Sequence, residues 1–234
     1  MKKTLLAVTL AAAVFAPVAA QAEAGDWVVR IRAADVSPNE DSKLGKTVNS
    51  VLGIPAMTPG AELKVDNNVI PELDISYYFT KNIAAELILA VGTRHDVSIH
   101  GDSAGVVNNQ QLGSVNLLPP TLTAQWHFMP DQTFDPYVGA GINYTIMLDR
   151  NLKGSRGAIA GNKIKIDSDS WGPALQAGFD INLKDGWLIN ADIKYVWLDT
   201  DVKWKGPLTG NAWRKIDSLD INPWVFGIGI GKKF

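Results

Sequence analysis

The chain has 234 residues, with 22 basic and 24 acidic side chains, a formal net charge of −2 and no cysteine. That balance argues against nucleic acid as a partner, and the missing thiols remove disulfide frameworks and cysteine chemistry. Beyond residue 22 no run of about 18 apolar residues offers a membrane-crossing helix.

Residues 1–22 read as an export signal. Lys2 and Lys3 precede an apolar stretch from Leu5 to Ala20, which ends in Ala20-Gln21-Ala22, the small-x-small pattern of a signal-peptidase site. The stretch is too short and too rich in alanine for a spanning helix. The expected mature chain, residues 23–234, begins near Glu23 and forms one domain.

Eight segments then alternate apolar and polar with period two: residues 26–36, 69–79, 83–93, 117–128, 136–148, 169–183, 187–198 and 219–234. Each is about the length that a tilted strand needs to cross a bilayer. Their connections alternate as well. Residues 80–82, 129–135 and 184–186 are short, whereas 37–68, 94–116, 149–168 and 199–218 are long. This pattern predicts an all-β fold, an eight-stranded antiparallel transmembrane β-barrel with short periplasmic turns and long extracellular loops. A soluble β-sandwich also alternates but gives no reason for the alternation in loop length.

Parity assigns the faces. Val29, Ile31, Ile75, Leu87, Leu89, Leu122, Val138, Ile142, Leu175, Ile189, Ile228 and Ile230 point outward as an aliphatic band. Trp27, Tyr77, Phe79, Trp126, Phe128, Trp187 and Phe234 fall at the short-turn end, and Tyr144, Trp171, Tyr195, Trp197 and Trp224 at the long-loop end. Two aromatic belts around an aliphatic band match two membrane interfaces. Terminal Phe234 is the expected assembly signal, read by the barrel-insertion machinery through the last strand.

The inward faces carry the functional clue. At mid-height and below they hold Arg30, Arg32, Glu72, Asp74, Glu86, Asp180, Asp192 and Lys194, with Tyr78, Gln125, His127, Asn182 and Asn190. An eight-stranded barrel is only just wide enough to be filled by side chains. These charges are therefore expected to pair into a plug, since an unpaired buried charge is costly. Toward the long loops the inward residues become Ala34, Ile88, Ala90, Leu117, Pro119, Met147, Val196, Leu198, Ile221 and Pro223, an apolar funnel above the charged floor. Inward glycines at 139, 141, 172, 178, 227, 229 and 231 leave room beside the funnel, or else relieve packing around Tyr78 and Tyr137. Pro119-Pro120 leaves two readings open: either the strand begins only at Thr121, or the ladder breaks there and leaves a lateral gap from lumen to lipid.

These residues also carry a resemblance. The run from Leu118 through Pro119-Pro120-Thr121 to Trp126-His127-Phe128, then Pro136-Tyr137-Val138-Gly139-Ala140-Gly141, resembles the central signature of the OmpW family. Asp169-Ser170-Trp171-Gly172, Gly186-Trp187, Tyr195 and Asp220-Ile221-Asn222-Pro223-Trp224-Val225-Phe226 are similar to its later blocks. The resemblance implies an eight-stranded outer-membrane barrel with a hydrophobic lumen, associated with passage of small hydrophobic molecules. Some members serve as bacteriocin receptors through their loops. The chain departs from the family pattern at Gly92-Thr93-Arg94, before His95-Asp96, and at Lys232, third from the end.

No catalytic or metal constellation competes. His95, Asp96 and His100 are the only ligand types within reach of one another, and His127 is the single lumen histidine. No nucleophile stands beside a base, and Gly139-Ala140-Gly141 lacks the third glycine and helix of a dinucleotide site. The expectation is a non-enzyme without metal or cofactor, integral to the outer membrane, whose partners are outer-membrane lipid, small hydrophobic solutes and the insertion machinery. Two functions remain: passage of apolar compounds, or an inert interaction barrel whose loops act as a surface receptor.

Overall fold

A computed structural model describes residues 23–103, 109–156 and 159–234. The expected export signal, and parts of the second and third long loops, lie outside the described residues. Among them are fifteen strands and one α-helix: β1 (Trp27–Ser37), α1 (Leu44–Leu52), β2 (Glu62–Val65), β3 (Asn68–Tyr78), β4 (Ile83–Ala90), β5 (Thr93–His100), β6 (Gln110–Leu118), β7 (Thr121–His127), β8 (Phe134–Asp149), β9 (Asn151–Lys153), β10 (Lys163–Ile166), β11 (Asp169–Asn182), β12 (Trp187–Val196), β13 (Asp199–Lys205), β14 (Arg214–Asp220) and β15 (Trp224–Lys233).

Eight of these close a ring. β1, β3, β4, β7, β8, β11, β12 and β15 each pair antiparallel with the next, and β15 returns to β1. Closure leaves no backbone edge for lipid to strand, which is why a strand protein can span a membrane at all. The seam between the chain ends is also sealed: Trp27 N–H donates to the Phe234 carbonyl at 3.2 Å and Phe234 N–H to the Trp27 carbonyl at 2.8 Å. Three tight turns join strands at this end. The Lys184-Asp185-Gly186 turn takes positive φ at Asp185 (58°) and Gly186 (76°), where an Asp-Gly pair suits a hairpin.

Burial alternates along every barrel strand as parity requires. Ile31, Leu87, Leu122, Ile142, Leu175, Ile189, Ile228 and Ile230 are exposed outward, and their neighbours in sequence are largely buried. The two belts are real neighbours in space. Trp27 and Tyr77 are register partners with ring centroids 4.9 Å apart, while Tyr144 stacks on Trp171 at 4.2 Å and Tyr195 meets Trp197 and Trp224, each at 4.7 Å.

The four long connections are not bare loops. β2, β5 and β6 extend the wall beyond the membrane, and β9, β10, β13 and β14 form a second sheet ordered β14-β13-β10-β9. Helix α1 packs on this layer through Leu44, Gly45 and Val48 and ends at Gly53, whose φ of 68° suits a left-handed cap. The largest buried apolar cluster sits in this extracellular layer, around Leu63, Val97, Ile99, Leu112, Ile164, Val202, Trp204 and Ile216.

Four expected boundaries change. The third segment, 83–93, ends as β4 at Ala90, and its last residue, Thr93, opens β5. The fourth segment, 117–128, is two strands, because Pro119 and Pro120 separate β6 from β7. The last barrel strand starts at Trp224 instead of Leu219: Asn222 takes a φ of 39° and Pro223 follows, which frees 214–220 to pair with β13 as β14. The seventh strand likewise ends at Val196, and the chain re-enters sheet structure as β13 at Asp199.

Candidate functional site

The lower lumen is built by alternate residues of β1, β3, β4, β11 and β12. Val29 and Ile31 face lipid, so Arg30 and Arg32 must face the axis. Arg30 donates through Nη2 to Asp180 Oδ2 at 2.6 Å and through Nη1 to Ser76 Oγ at 2.6 Å, with Glu86 Oε1 at 3.3 Å. Arg32 holds Glu72 through Nε at 2.8 Å, and its guanidinium lies 2.6 Å from Asp74 and 3.0 Å from Asp192. Lys194 Nζ sits 2.9 Å from both Glu72 and Asp192. The structure thus brings together all eight charged residues singled out in the sequence.

Neutral groups extend the network, while Asp74 is held by its ion pair with Arg32 without a hydrogen bond to either oxygen. Gln176 donates to Glu86 at 2.9 Å and Asp192 at 2.8 Å, and Gln125 donates to Glu86 at 2.8 Å. Beneath them His127 Nδ1 lies 2.7 Å from Asp135 Oδ2, with the Tyr78 hydroxyl 3.1 Å from Nε2. Gln176, Ser76 and Asp135 were not picked out from sequence, although Gln176 shares its inward parity with Asp180 and Asn182. Paired and hydrogen-bonded in this way, ions can be held out of water.

The glycines of β15 make room for ions rather than for the funnel or for Tyr78 and Tyr137. Gly227 is the register partner of Ala34 on one side and Asp192 on the other, and Gly229 of Arg32 and Asn190. A β-carbon on Gly227 would collide with the Asp192 carboxylate, and one on Gly231 would stand 2.8 Å from Arg30 Cγ. The bare strand lets Arg32 of β1 reach across β15 to Asp192 and Asn190 of β12, and Arg30 reach Asp180 of β11. Only Gly178 relieves an aromatic, Tyr137.

Above the ions lies an apolar chamber with about 1050 Å³ of space between atoms, open solvent at its mouth included. Ile88, Ala90, Leu117, Pro119, Met147, Val196, Leu198, Ile221 and Pro223 line it. Ala34 does not: it is wholly buried, packed against Ile70, Ala90 and Val225, which line the chamber in its place. Glu72 and Lys194 form the charged floor, and the extracellular layer supplies Leu63, Val65, Val97, Val115, Leu152, Ile166, Val202 and Leu219 as upper wall. Those upper residues were missed, yet the alternation at Leu63/Val65, Ile164/Ile166 and Val202/Trp204 marks short strands. A second apolar cavity of about 550 Å³ lies beneath α1 and shares Leu63 and Val202 with the first.

The ladder is interrupted beside the chamber. Pairing between β4 and β7 ends at Ile88–Thr121, and pairing between β5 and β6 begins at Thr93–Leu117. Between these points residues 89–92 face 118–120 without a register pair, since neither proline carries an N–H. On the other side the wall persists, with Tyr144 N–H donating to the Pro120 carbonyl at 3.0 Å. At the rim the Thr93 hydroxyl substitutes for a strand neighbour: it donates to the Leu117 carbonyl and accepts from the Leu117 N–H.

The interface aromatics Trp27, Trp126, Trp171, Trp187, Trp197 and Trp224 are all exposed on the outer surface, as is Phe234. Lys232, the departure near the chain end, spreads its ammonium 5.1 Å over the Trp187 ring and donates to the Asp185 carbonyl. Among the described residues no group of three or more His, Cys, Asp or Glu is arranged to hold a metal ion.

The model of the OmpW family matches residues 23–234. Outer membrane protein W of Vibrio cholerae serotype O1 is 38% identical over 237 residues, covering 100% of each chain. The crystal structure of the outer membrane protein OprG from Pseudomonas aeruginosa is similar with a TM-score of 0.73 at 31% identity, covering 92% of this chain and 98% of that one. The dibenzothiophene metabolism operon protein PahQ of Pseudomonas aeruginosa is 28% identical over 218 residues, covering 91% of this chain and 90% of its own.

Proposed function

The chain belongs to the OmpW family of outer-membrane barrels, and on that premise we propose that it passes small hydrophobic molecules from outside into the membrane. The observation that carries the proposal is the continuity between chamber and ladder break: of the residues that line the chamber, Ile88 and Leu117 flank the unpaired stretch and Ala90 and Pro119 lie in it. An apolar solute gains about 25 cal/mol for each Å² removed from water by such a wall. Continuing downward would cost it that gain and split paired ions, so the route of least resistance runs sideways past Pro119 and Pro120. The PahQ name, which ties that relative to metabolism of an apolar aromatic heterocycle, agrees with this class of solute. An inert receptor barrel has no need of an unfilled greasy chamber.

Replacing Ile88 or Leu117 with Asp puts an unpaired carboxylate in the path. Both variants should still show the mobility difference between unboiled and boiled samples that marks a folded barrel, and should take up apolar solutes at least tenfold more slowly. Alanine at 119 and 120, which restores ladder donors, should slow uptake with the chamber intact. Uptake at the unmodified rate in all of these variants would overturn the proposal in favour of a surface receptor.

A further inference from the structure

We propose that the outward face of the extracellular sheet binds the phosphorylated and carboxylated sugars of the glycolipid that surrounds the barrel in the outer leaflet. The register of that sheet places lysine against lysine. Lys163 of β10 is paired with Lys153 on one side and Lys205 on the other, and Lys165 with Lys203, which is in turn opposite Lys215. Like charges directly across a ladder destabilise a sheet. A row of them without partners of its own needs something beyond the chain to make the arrangement favourable.

Partners within the protein account for only half of the six. Lys203 Nζ lies 2.5 Å from Asp167, Lys215 Nζ 2.5 Å from Asp201, and Lys165 sits 4.3 Å over the Trp213 ring. Among the described residues no carboxylate lies within ion-pair distance of Lys153, Lys163 or Lys205. Lysine is also used to blunt sheet edges, but that explains β9 and β14 only; β10 and β13 are the central strands of the sheet. Behind the lysines Leu152, Ile164, Trp204 and Ile216 are buried, so the face is held rigidly outward.

Position selects the partner. β13 continues the line of β12, where Tyr195 and the Trp197 that follows the strand belong to the aromatic belt, and the lysines keep the same outward parity. They therefore look sideways over the membrane surface. Asp199 and Asp201 come first on β13, and Lys203 stands four residues beyond Asp199, about 13 Å along the strand. The acids repel anions at the headgroup plane itself; the lysines meet anions carried on sugars above it. Exposed charges act over roughly a Debye length of 8–10 Å, so the sugars must lie against the face.

The test uses the full barrel in nonionic detergent, titrated with rough lipopolysaccharide that retains its core sugars, with lipid A that lacks them, and with the free core oligosaccharide. The unmodified protein should bind core-bearing glycolipid at least tenfold more tightly than lipid A, and high salt should shrink the difference. The quadruple variant K153Q/K163Q/K165Q/K205Q should lose the preference, yet unfold at the same or a higher temperature when no glycolipid is present. The matching Lys→Arg variant should keep the preference and serves if the glutamine variant fails to fold. Equal affinity for the two glycolipids, a preference that survives in the glutamine variant, or loss of it in the arginine variant would overturn the proposal. Free oligosaccharide binding as tightly as the glycolipid would overturn it too, in favour of a receptor for soluble polyanions.

Discussion

At membrane height the inward faces of β1, β3, β4 and β12 carry ions packed against the glycines of β15, whereas above it the inward faces of β2, β5, β10 and β13 carry aliphatic side chains around open space. Surroundings run the opposite way. The ionic level is girdled by lipid, and the upper part of the apolar level by water. In an ordinary globular protein the greasy interior would sit where the surroundings are polar and be packed shut. Here the apolar level is left unfilled and the ionic level is filled, which teaches that stability and passage have been given to different heights of one tube. The plug resists change because every ion has partners. The chamber tolerates change because little depends on its being full.

Substitution can break this comparison, and the largest effect is expected at Arg32. Its guanidinium meets Glu72, Asp74 and Asp192 at once, and Arg32→Met would leave those carboxylates buried around one lysine. Stranding buried charge costs about 3–5 kcal/mol, so the urea concentration that abolishes the folded band of unboiled samples should fall sharply. Gly227→Val comes next. Its side chain would enter the space of the Asp192 carboxylate, an overpacking that costs about 1–3 kcal/mol in the same assay. Thr93→Val should be smallest. It removes the hydroxyl that serves Leu117 at the rim of the ladder break, a loss of about 1 kcal/mol. If Thr93→Val proved as damaging as Arg32→Met, the upper level would be as integral to stability as the plug, and the contrast would fail.

Much of the barrel was legible in the sequence, since period two is a consequence of strand geometry and lipid punishes every exception on the outer face. The faces of Arg30, Ile88 and Trp171 follow from counting alone. What counting could not supply was reach. Gly227 and Gly229 read as room beside the funnel or as local packing relief, because nothing in a sequence says that Arg32 on one neighbouring strand and Asp192 on the other must meet across them. Gln176 was overlooked for the same reason: it is one inward amide among many until Glu86 and Asp192 converge on it. The extracellular layer was read as four connections, because its strands of three to nine residues give too few periods to stand out from irregular chain. Pro119-Pro120 left two readings open; the strand does restart at Thr121, and the missing pairs lie beside it.

The unpaired stretch at residues 89–92 and 118–120 also divides the chain as it folds. On that side of the tube no register pair ties the β4–β7 ladder to the β5–β6 hairpin, whose nearest pairs lie at Ile88–Thr121 and Thr93–Leu117. Cooperativity passes through a sheet along its hydrogen bonds, so the hairpin and the wall beneath it are separate units there. Amide exchange should reveal this as two protection levels with the step at the prolines, the hairpin opening to solvent while the transmembrane ladder stays shut. A gate that opens by loosening a hairpin can therefore work many times over without the barrel ever beginning to unfold.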